Sequence, residues 1–538
     1  MIAFTQSVQR GHFGPQFSPR VCPPPGRFLS PSRHPAPCVA IFFLPYRPRD
    51  VTITQGQQRP PRIFRPVFLS LRYFRHDIHA TRSGPALPAP SSAPSRIGPR
   101  NPGLELWGPR TGLHRFGGSG LHLLILAPQP FFVERGTPIA VRNLATALAA
   151  QGHRIDLMVF PGGTEVDIVG VTIHRLPDWR ILSDIAPGFS GRKILADLVM
   201  LPKAAARIRR GRPDLVIAVE EAAYIALLLR RVFGVPYICD IDSSIPEQLD
   251  DKFSLPHWLL RMFQWAEGRA ARGAVGAITC CRALEETTRA HAPDLPVQTL
   301  EDIPLTDDAP TGPPPEDCRF DAPVIMYVGN LEPYQGVDLL LDGFAATVAE
   351  GTKGQLVIIG GTPDHVAALG ARAHALGLDQ RVSILGPRPV SQIGRYLAQA
   401  AIVASPRIKG RNTPMKVYSY LDSGRPLLAT RLPTHTQVLD DDIAMLVEPD
   451  VAGMARGIAA LIGDPALCAK LAEAARIRVQ AEYSRTAFER KLKRFMRHEI
   501  MPRIGVTPPL DPQGPDDIPQ HPDPHHKTWE NQSIGNVE

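Results

Sequence analysis

Residues 327–341 read Tyr327-Val328-Gly329-Asn330-Leu331-Glu332-Pro333-Tyr334-Gln335-Gly336-Val337-Asp338-Leu339-Leu340-Leu341. They continue an apolar, β-branched run that begins at Val324, and they lead into a segment of helix length. Strand, glycine-bearing loop and helix, in that order, form a corner at the carboxyl edge of a parallel sheet. Free backbone amides and the positive end of a helix dipole collect at such a corner and attract anions.

The same texture extends in both directions. From Leu121 onward, short β-rich runs alternate with helical periodicity, the pattern of stacked βαβ units. The expected strands are 123–127, 154–160, 215–219, 237–240 and 277–279, and, beyond a Pro-rich joint, 324–328, 356–359, 382–385, 402–405 and 426–430. This predicts an α/β chain with two Rossmann-like doubly wound domains. The first covers 121–305, a linker 306–321, the second 322–480, and a terminal crossover helix 481–500.

Residues 1–120 are crowded with Pro, Arg, Ser and Gly without a sustained period, and they predict a disordered leader. The Pro/His/Asp-rich stretch 501–538 predicts a disordered tail. The leader holds sixteen Arg, no Lys and three acids; the chain's formal charge of +8 therefore divides into +13 for the leader and −5 for the rest. Basicity is thus a property of the leader and gives no warrant for a nucleic-acid partner. The absence of Lys also reads as upstream sequence ahead of a mis-assigned start. Seven scattered cysteines, none in a CxxC pair, indicate neither a disulfide framework nor a zinc site, and they fit a reducing cytoplasm. No run of eighteen apolar residues predicts a spanning helix.

Three Thr-Pro pairs, Thr137-Pro138, Thr362-Pro363 and Thr413-Pro414, each place a capping hydroxyl ahead of a proline at a first helical position. In the corner 130–138, Gly136 lets the backbone approach a ligand closely, although an ordinary βα turn has the same composition. In the corner 405–426, Arg407, Lys409, Arg411 and Lys416 surround a helix start. That reads as a phosphate cradle of side chains and amides, or else as a solvated basic loop.

These corners resemble those of family 4 glycosyltransferases of the GT-B fold. The first strand, its Gly-containing loop and a helix ending in Ala149-Ala150-Gln151-Gly152-His153-Arg154 look like the family's amino-terminal domain. There the resemblance implies an acceptor-side loop with Gly136, Thr137 and Arg142. Residues 327–341 resemble the start of the donor domain, and 412–426, with the exit Ser423-Gly424-Arg425-Pro426, resemble its nucleotide-sugar helix. The resemblance implies a nucleotide-diphosphate sugar as co-substrate, retention of anomeric configuration, no cofactor and no protein-bound metal. It places donor contacts at Gly329, Asn330, Gln335, Gly336, Arg388, Arg407, Lys409, Arg411, Asn412, Thr413, Lys416 and Ser419.

The chain departs from the family pattern at the donor site. Asn330 and Gln335 stand where the family usually has Arg and Lys, and Arg411 and Ser419 where it has two glutamates. Neutral amides bond phosphate oxygens without the added strength of ionised donors. Phosphate neutralisation then falls to the cations between 407 and 416.

Asp240 and Asp242, in Cys239-Asp240-Ile241-Asp242-Ser243-Ser244, have three readings. They chelate a metal, they cap a turn, or, as the resemblance implies for Asp242, a carboxylate acts in the cleft on the acceptor hydroxyl or a cationic sugar. In 191–212, apolar and basic residues alternate at helical spacing. That suits the interface of an anionic membrane and a lipid-linked acceptor, or a core-facing helix with a solvated basic face. The resemblance as a whole implies a glycosyltransferase acting on a glycan or lipid-linked acceptor in cell-surface polysaccharide or glycolipid synthesis. It would work in the cytoplasm or at the inner face of the cytoplasmic membrane. A non-catalytic nucleotide-sugar or glycan binder of the same fold and a nucleotide-sugar epimerase are the alternatives.

Overall fold

The computed structural model describes residues 120–508 apart from 181, 183–189, 247–248, 250–255, 306–312 and 314. Residues 1–119 of the leader, much of the linker and residues 509–538 lie outside the described residues; 501–508, expected as the start of the disordered tail, are described, with Met501–Arg503 helical and Met501 buried.

Two parallel sheets organise the chain. The first holds β1 (His122–Pro130), β2 (Arg154–Phe160), β3 (Val171–Arg175), β4 (Leu215–Val219), β5 (Tyr237–Ile241), β6 (Gly276–Thr279) and β7 (Val297–Thr299), in the order β3-β2-β1-β4-β5-β6-β7. The second holds β8 (Val324–Val328), β9 (Gln355–Ile359), β10 (Val382–Gly386), β11 (Ile402–Ser405), β12 (Leu427–Thr430) and β13 (Met445–Val447), in the order β10-β9-β8-β11-β12-β13. Both orders reverse beside their first strand, between β1 and β4 and between β8 and β11, so each sheet opens a crevice at the carboxyl ends of those strands. The central strands are apolar on both faces because helices cover both. Residues Leu123 to Ala127 of β1 are wholly buried, which is what a continuous rather than an alternating apolar run predicts.

The sequence-based strands all form, but β3, β7 and β13 were not among them. All three lie toward sheet edges; β7 and β13 have only three residues, and β3 and β7 are half-buried or exposed along their length. Such segments carry too little apolar periodicity to register.

The first domain's helices are α1 (Gly136–Ala150), α2 (Gly191–Gly211), α3 (Ala222–Phe233), α4 (His257–Gly273) and α5 (Arg282–His291). The second domain begins with α6 (Val337–Ala349), α7 (Pro363–Ala375), α8 (Val390–Leu397) and α9 (Lys416–Asp422). Of the three expected Thr caps only Thr362 forms, accepting from the His365 amide at 3.3 Å. α1 starts two residues earlier than expected, after Arg135, so Thr137 is already inside the helix and its hydroxyl serves elsewhere. α9 starts two residues beyond Pro414, and the buried Thr413 hydroxyl makes no hydrogen bond.

The chain ends by returning to the first domain. Phe488, Leu492, Phe495, Met496, Ile500 and Met501 are buried in one cluster with Leu123, Ile125 and Leu148. Lys491 pairs with Glu301 at 2.7 Å, and the Gln151 side-chain amide donates to the Glu489 carbonyl. Among the described residues no single helix is long and apolar enough to cross a membrane. The cysteines described, Cys239, Cys280, Cys281, Cys318 and Cys468, are all free.

Candidate active site

The carboxyl edges of the two sheets face each other across a cleft of about 840 Å³. Contacts bridge its rim. The Val390 amide donates to the Glu134 carboxylate at 3.0 Å, the Ala283 amide to the Gln437 side-chain oxygen at 3.1 Å, and Arg411 reaches the Thr287 hydroxyl at 3.4 Å.

The second-domain wall begins where β8 ends. The Val328 amide donates to the Tyr420 hydroxyl at 2.7 Å, which ties the end of β8 to α9 and fixes the Gly329 loop. Gly329 and Gly360 touch so closely that a Cβ on Gly360 would lie 2.0 Å from the Gly329 carbonyl oxygen; only glycine fits, and the cleft stays open behind it. Lys416 then enters from α9. Its Nζ sits 3.9 Å over the Tyr327 ring and donates to Gln335 Oε1 at 2.9 Å. Burial, and then the nearby Arg407, push the Lys416 ammonium well below its ordinary pKa. Arg407 is itself buried, lies 5.1 Å from the Tyr334 ring, and donates to the carbonyls of Lys409 and Asn412 and to Asn412 Oδ1. Neither cation forms an ion pair among the described residues. Two buried cations beside the cleft are thus left without a carboxylate countercharge.

The expected donor residues divide by position. Gly329, Asn330, Gln335, Arg388, Arg407, Asn412, Thr413, Lys416 and Ser419 line the cleft. Gly336, Lys409 and Arg411 do not. Gly336 packs against the Pro406 carbonyl, Lys409 is exposed, and Arg411 points to the first domain. The cradle expected from four cations therefore has two of them at the cleft. Gln335 orients Lys416, Asn330 accepts the Glu332 amide at 3.3 Å in a local turn, and Ser419 accepts the Leu305 amide at 3.0 Å, tethering the stretch after the first sheet. Arg388 is held by Asp317 at 2.7 Å and by the Tyr396 hydroxyl.

The first-domain floor is acidic. Glu220, Asp242 and Asp302 line the cleft, and Asp240 lies behind them in a small void shared with Asp242, Asp302 and Cys280. Thr137, lost as a cap, hydrogen-bonds the Asp242 carboxylate, and Asp242 Oδ2 stays buried without a partner. Burial, then Asp240, Glu220 and Asp302, push Asp242 well above the carboxylate range. Asp240 and Asp302 are each pushed up to about 7, chiefly by burial. Glu220 has a left-handed backbone, φ 49, accepts from Ser243 at 2.8 Å, and with Glu221 holds Lys193. Of the acceptor-side loop, Gly136 and Thr137 line the cleft; Arg142 instead lies over the Phe132 ring. Among the described residues no group of three or more His, Cys, Asp and Glu is arranged to hold a metal ion.

Sequence reasoning missed Asp302, Glu220 and Lys193 as cleft residues. Asp302 follows β7, a strand the periodicity did not reveal, so its place at the sheet edge was hidden. Lys193 read as part of a basic helical face, yet it turns inward to Glu220 and Glu221.

Comparison with known proteins agrees with this geometry. Residues 322–464 match the family model described as "Glycosyl transferases group 1", and residues 135–299 match the "Glycosyl transferase 4-like domain". The chain is 27% identical over 382 residues to the alpha-D-kanosaminyltransferase of Streptomyces kanamyceticus, covering 65% of this chain and 96% of that one. Its fold is similar to that of sucrose-phosphate synthase from Thermosynechococcus elongatus, with TM-score 0.58 and 18% identity over 70% of this chain and 98% of the other. It is also similar to Anabaena HepE in complex with UDP-glucose, with TM-score 0.55 and 17% identity over 70% and 99%. With both domains matched, over more than half of the chain, the chain belongs to the group 1 glycosyltransferases of the GT-B fold.

Proposed function

We propose that the protein transfers a sugar from a nucleotide-diphosphate sugar to a hydroxyl of a glycan or lipid-linked acceptor, with retention of anomeric configuration and without a protein-bound metal. The reaction would serve cell-surface polysaccharide or glycolipid synthesis from the cytoplasmic side. The observation that carries the donor half is the buried pair Lys416 and Arg407, which has no carboxylate partner and lies beside the Gly329 loop. A pyrophosphate seated there supplies the missing countercharge, and its leaving group gains charge where the cations already point. Further support comes from a relative named for transferring a kanosaminyl group and from a structure of this fold that holds UDP-glucose.

The acceptor half rests on Asp242. A carboxylate whose proton affinity has been raised by burial and neighbouring acids is a better base than an ordinary one, and its unpartnered Oδ2 is placed to take a hydroxyl proton. Gly136 and Thr137 line the same cleft as Asp242.

The test is incubation with a panel of nucleotide sugars and acceptors, with and without a chelator, reading nucleoside diphosphate and product together. The expected result is chelator-resistant formation of a glycoside with the donor's anomeric configuration, reduced about 10²–10⁴-fold in Asp242→Asn. Tight donor binding with no turnover across the panel supports a binding protein and sinks the proposal, as does a 2-epimerised sugar with no glycoside.

A further inference from the structure

α2, α3 and α4 cover one face of the first sheet. Their inner residues Ala196, Met200, Ile225, Leu229, Ala270 and Ala271 share a core cluster with Leu124, Val216 and Tyr237 of the strands. The outer surface of the three helices is unusual in two respects.

It is apolar where it is most exposed. Trp258 is 69% exposed and Trp265 64%, with Met262 between them, so the three form one stripe along α4 at spacings of four and three residues. Leu228 and Val232 repeat the spacing on α3, and Ile194 and Leu198 on α2. Two tryptophans standing in water are a cost that the fold itself does not require.

It also carries charge of a single sign. Every exposed charged residue on the three helices is cationic: Arg192, Lys203, Arg209 and Arg210 on α2, Arg231 on α3, and Arg261, Arg269 and Arg272 on α4. The two acids within the helices are turned away. Asp197 is half-buried, and Glu267 accepts from Ser244 at 3.3 Å and faces His291.

We propose that this three-helix face docks the protein on the surface of an anionic phospholipid bilayer, with Trp258, Met262 and Trp265 in the interfacial layer and the arginines among the headgroups. Indole rings settle at the level where apolar chain meets headgroup, and each cation near an anionic surface adds to the attraction. A second copy of the chain is a poor occupant, because a two-fold contact through this face sets arginines against arginines. The inference stands apart from the transferase reading, since its test needs no turnover. It also moves the contact expected at 191–212: α2 contributes only Ile194, Leu198 and its cations, and α4 is the centre.

The test uses the full chain with vesicles of phosphatidylcholine alone or with phosphatidylglycerol, half of them prepared with brominated acyl chains. Because the leader holds sixteen Arg, the deciding readout is tryptophan fluorescence rather than sedimentation alone. Anionic vesicles are expected to blue-shift the emission and brominated chains to quench it. In Trp258→Ser/Trp265→Ser the quenching is lost and partitioning is at least about tenfold weaker, with the melting temperature unchanged. Quenching that is absent in the wild type or survives the double substitution overturns the proposal. So does a fall in particle mass in the variant, by light scattering without vesicles, which assigns the face to a protein contact.

Discussion

At the scale of single residues, Lys416 matters most because, with Arg407, it brings buried positive charge to the cleft wall beside the Gly329 loop. Lys416→Ala is expected to weaken donor binding by about 10–100-fold, the worth of one charge-assisted hydrogen bond, with little loss of stability; titration calorimetry reads it. Asp240 gives a pH signature. Its carboxyl is buried and pushed up to about 7, so its contribution is fully favourable below the unfolded value near 4 and is lost as pH rises through 7. Asp240→Asn removes that loss. Its melting temperature relative to the wild type is therefore expected to be higher at pH 8 than at pH 5; a difference independent of pH would show that Asp240 does not titrate in this range. Residue identities at the donor corner were legible in the sequence, including Lys416 and the departures at Asn330, Gln335 and Ser419. What each departure does was not. Gln335 holds Lys416 and Ser419 holds the Leu305 amide, and neither partner is near in sequence.

At the scale of elements, the corner opening at Gly329 depends on a contact between two loops. Gly336 has φ +68, and a Cβ there would lie 2.0 Å from the Pro406 carbonyl oxygen, just ahead of Arg407. Gly336→Ala is expected to cost about 2 kcal/mol or more in thermal unfolding and to lower donor affinity as well, because the Arg407 loop must shift. An unchanged melting curve would contradict the packing. Long apolar strands were readable because burial on both faces leaves a continuous run. The capping expectation failed at Thr137 and Thr413 for a tertiary reason: the first hydroxyl bonds Asp242, and the helix after the second starts beyond Pro414. Local propensity sees neither.

At the scale of the whole molecule, the two domains are joined through the cleft rim and by the C-terminal return. Removing residues 485–508 deletes six buried apolar side chains, from Phe488 to Met501, and uncovers the first-domain core surface that they cover. At about 1.5–3 kcal/mol each, the loss is on the order of 10 kcal/mol, comparable to the whole stability of a domain. The truncated chain is expected to be insoluble; a soluble, cooperatively melting product would contradict the packing. The two-domain plan was visible in the alternation of strands and helices. The acidic floor was only half visible, because Asp302 depends on the short strand β7 for its position.

The central claim is that the cationic wall of the second domain binds a nucleotide-diphosphate sugar while the acidic floor of the first acts on the acceptor. Titration calorimetry of the wild type, Lys416→Ala and Asp242→Asn against a panel of nucleotide sugars tests this most directly. The account predicts at least one donor that binds the wild type and Asp242→Asn with similar affinity, and Lys416→Ala about 10–100-fold more weakly. Binding that is insensitive to Lys416, or lost with Asp242, would contradict it.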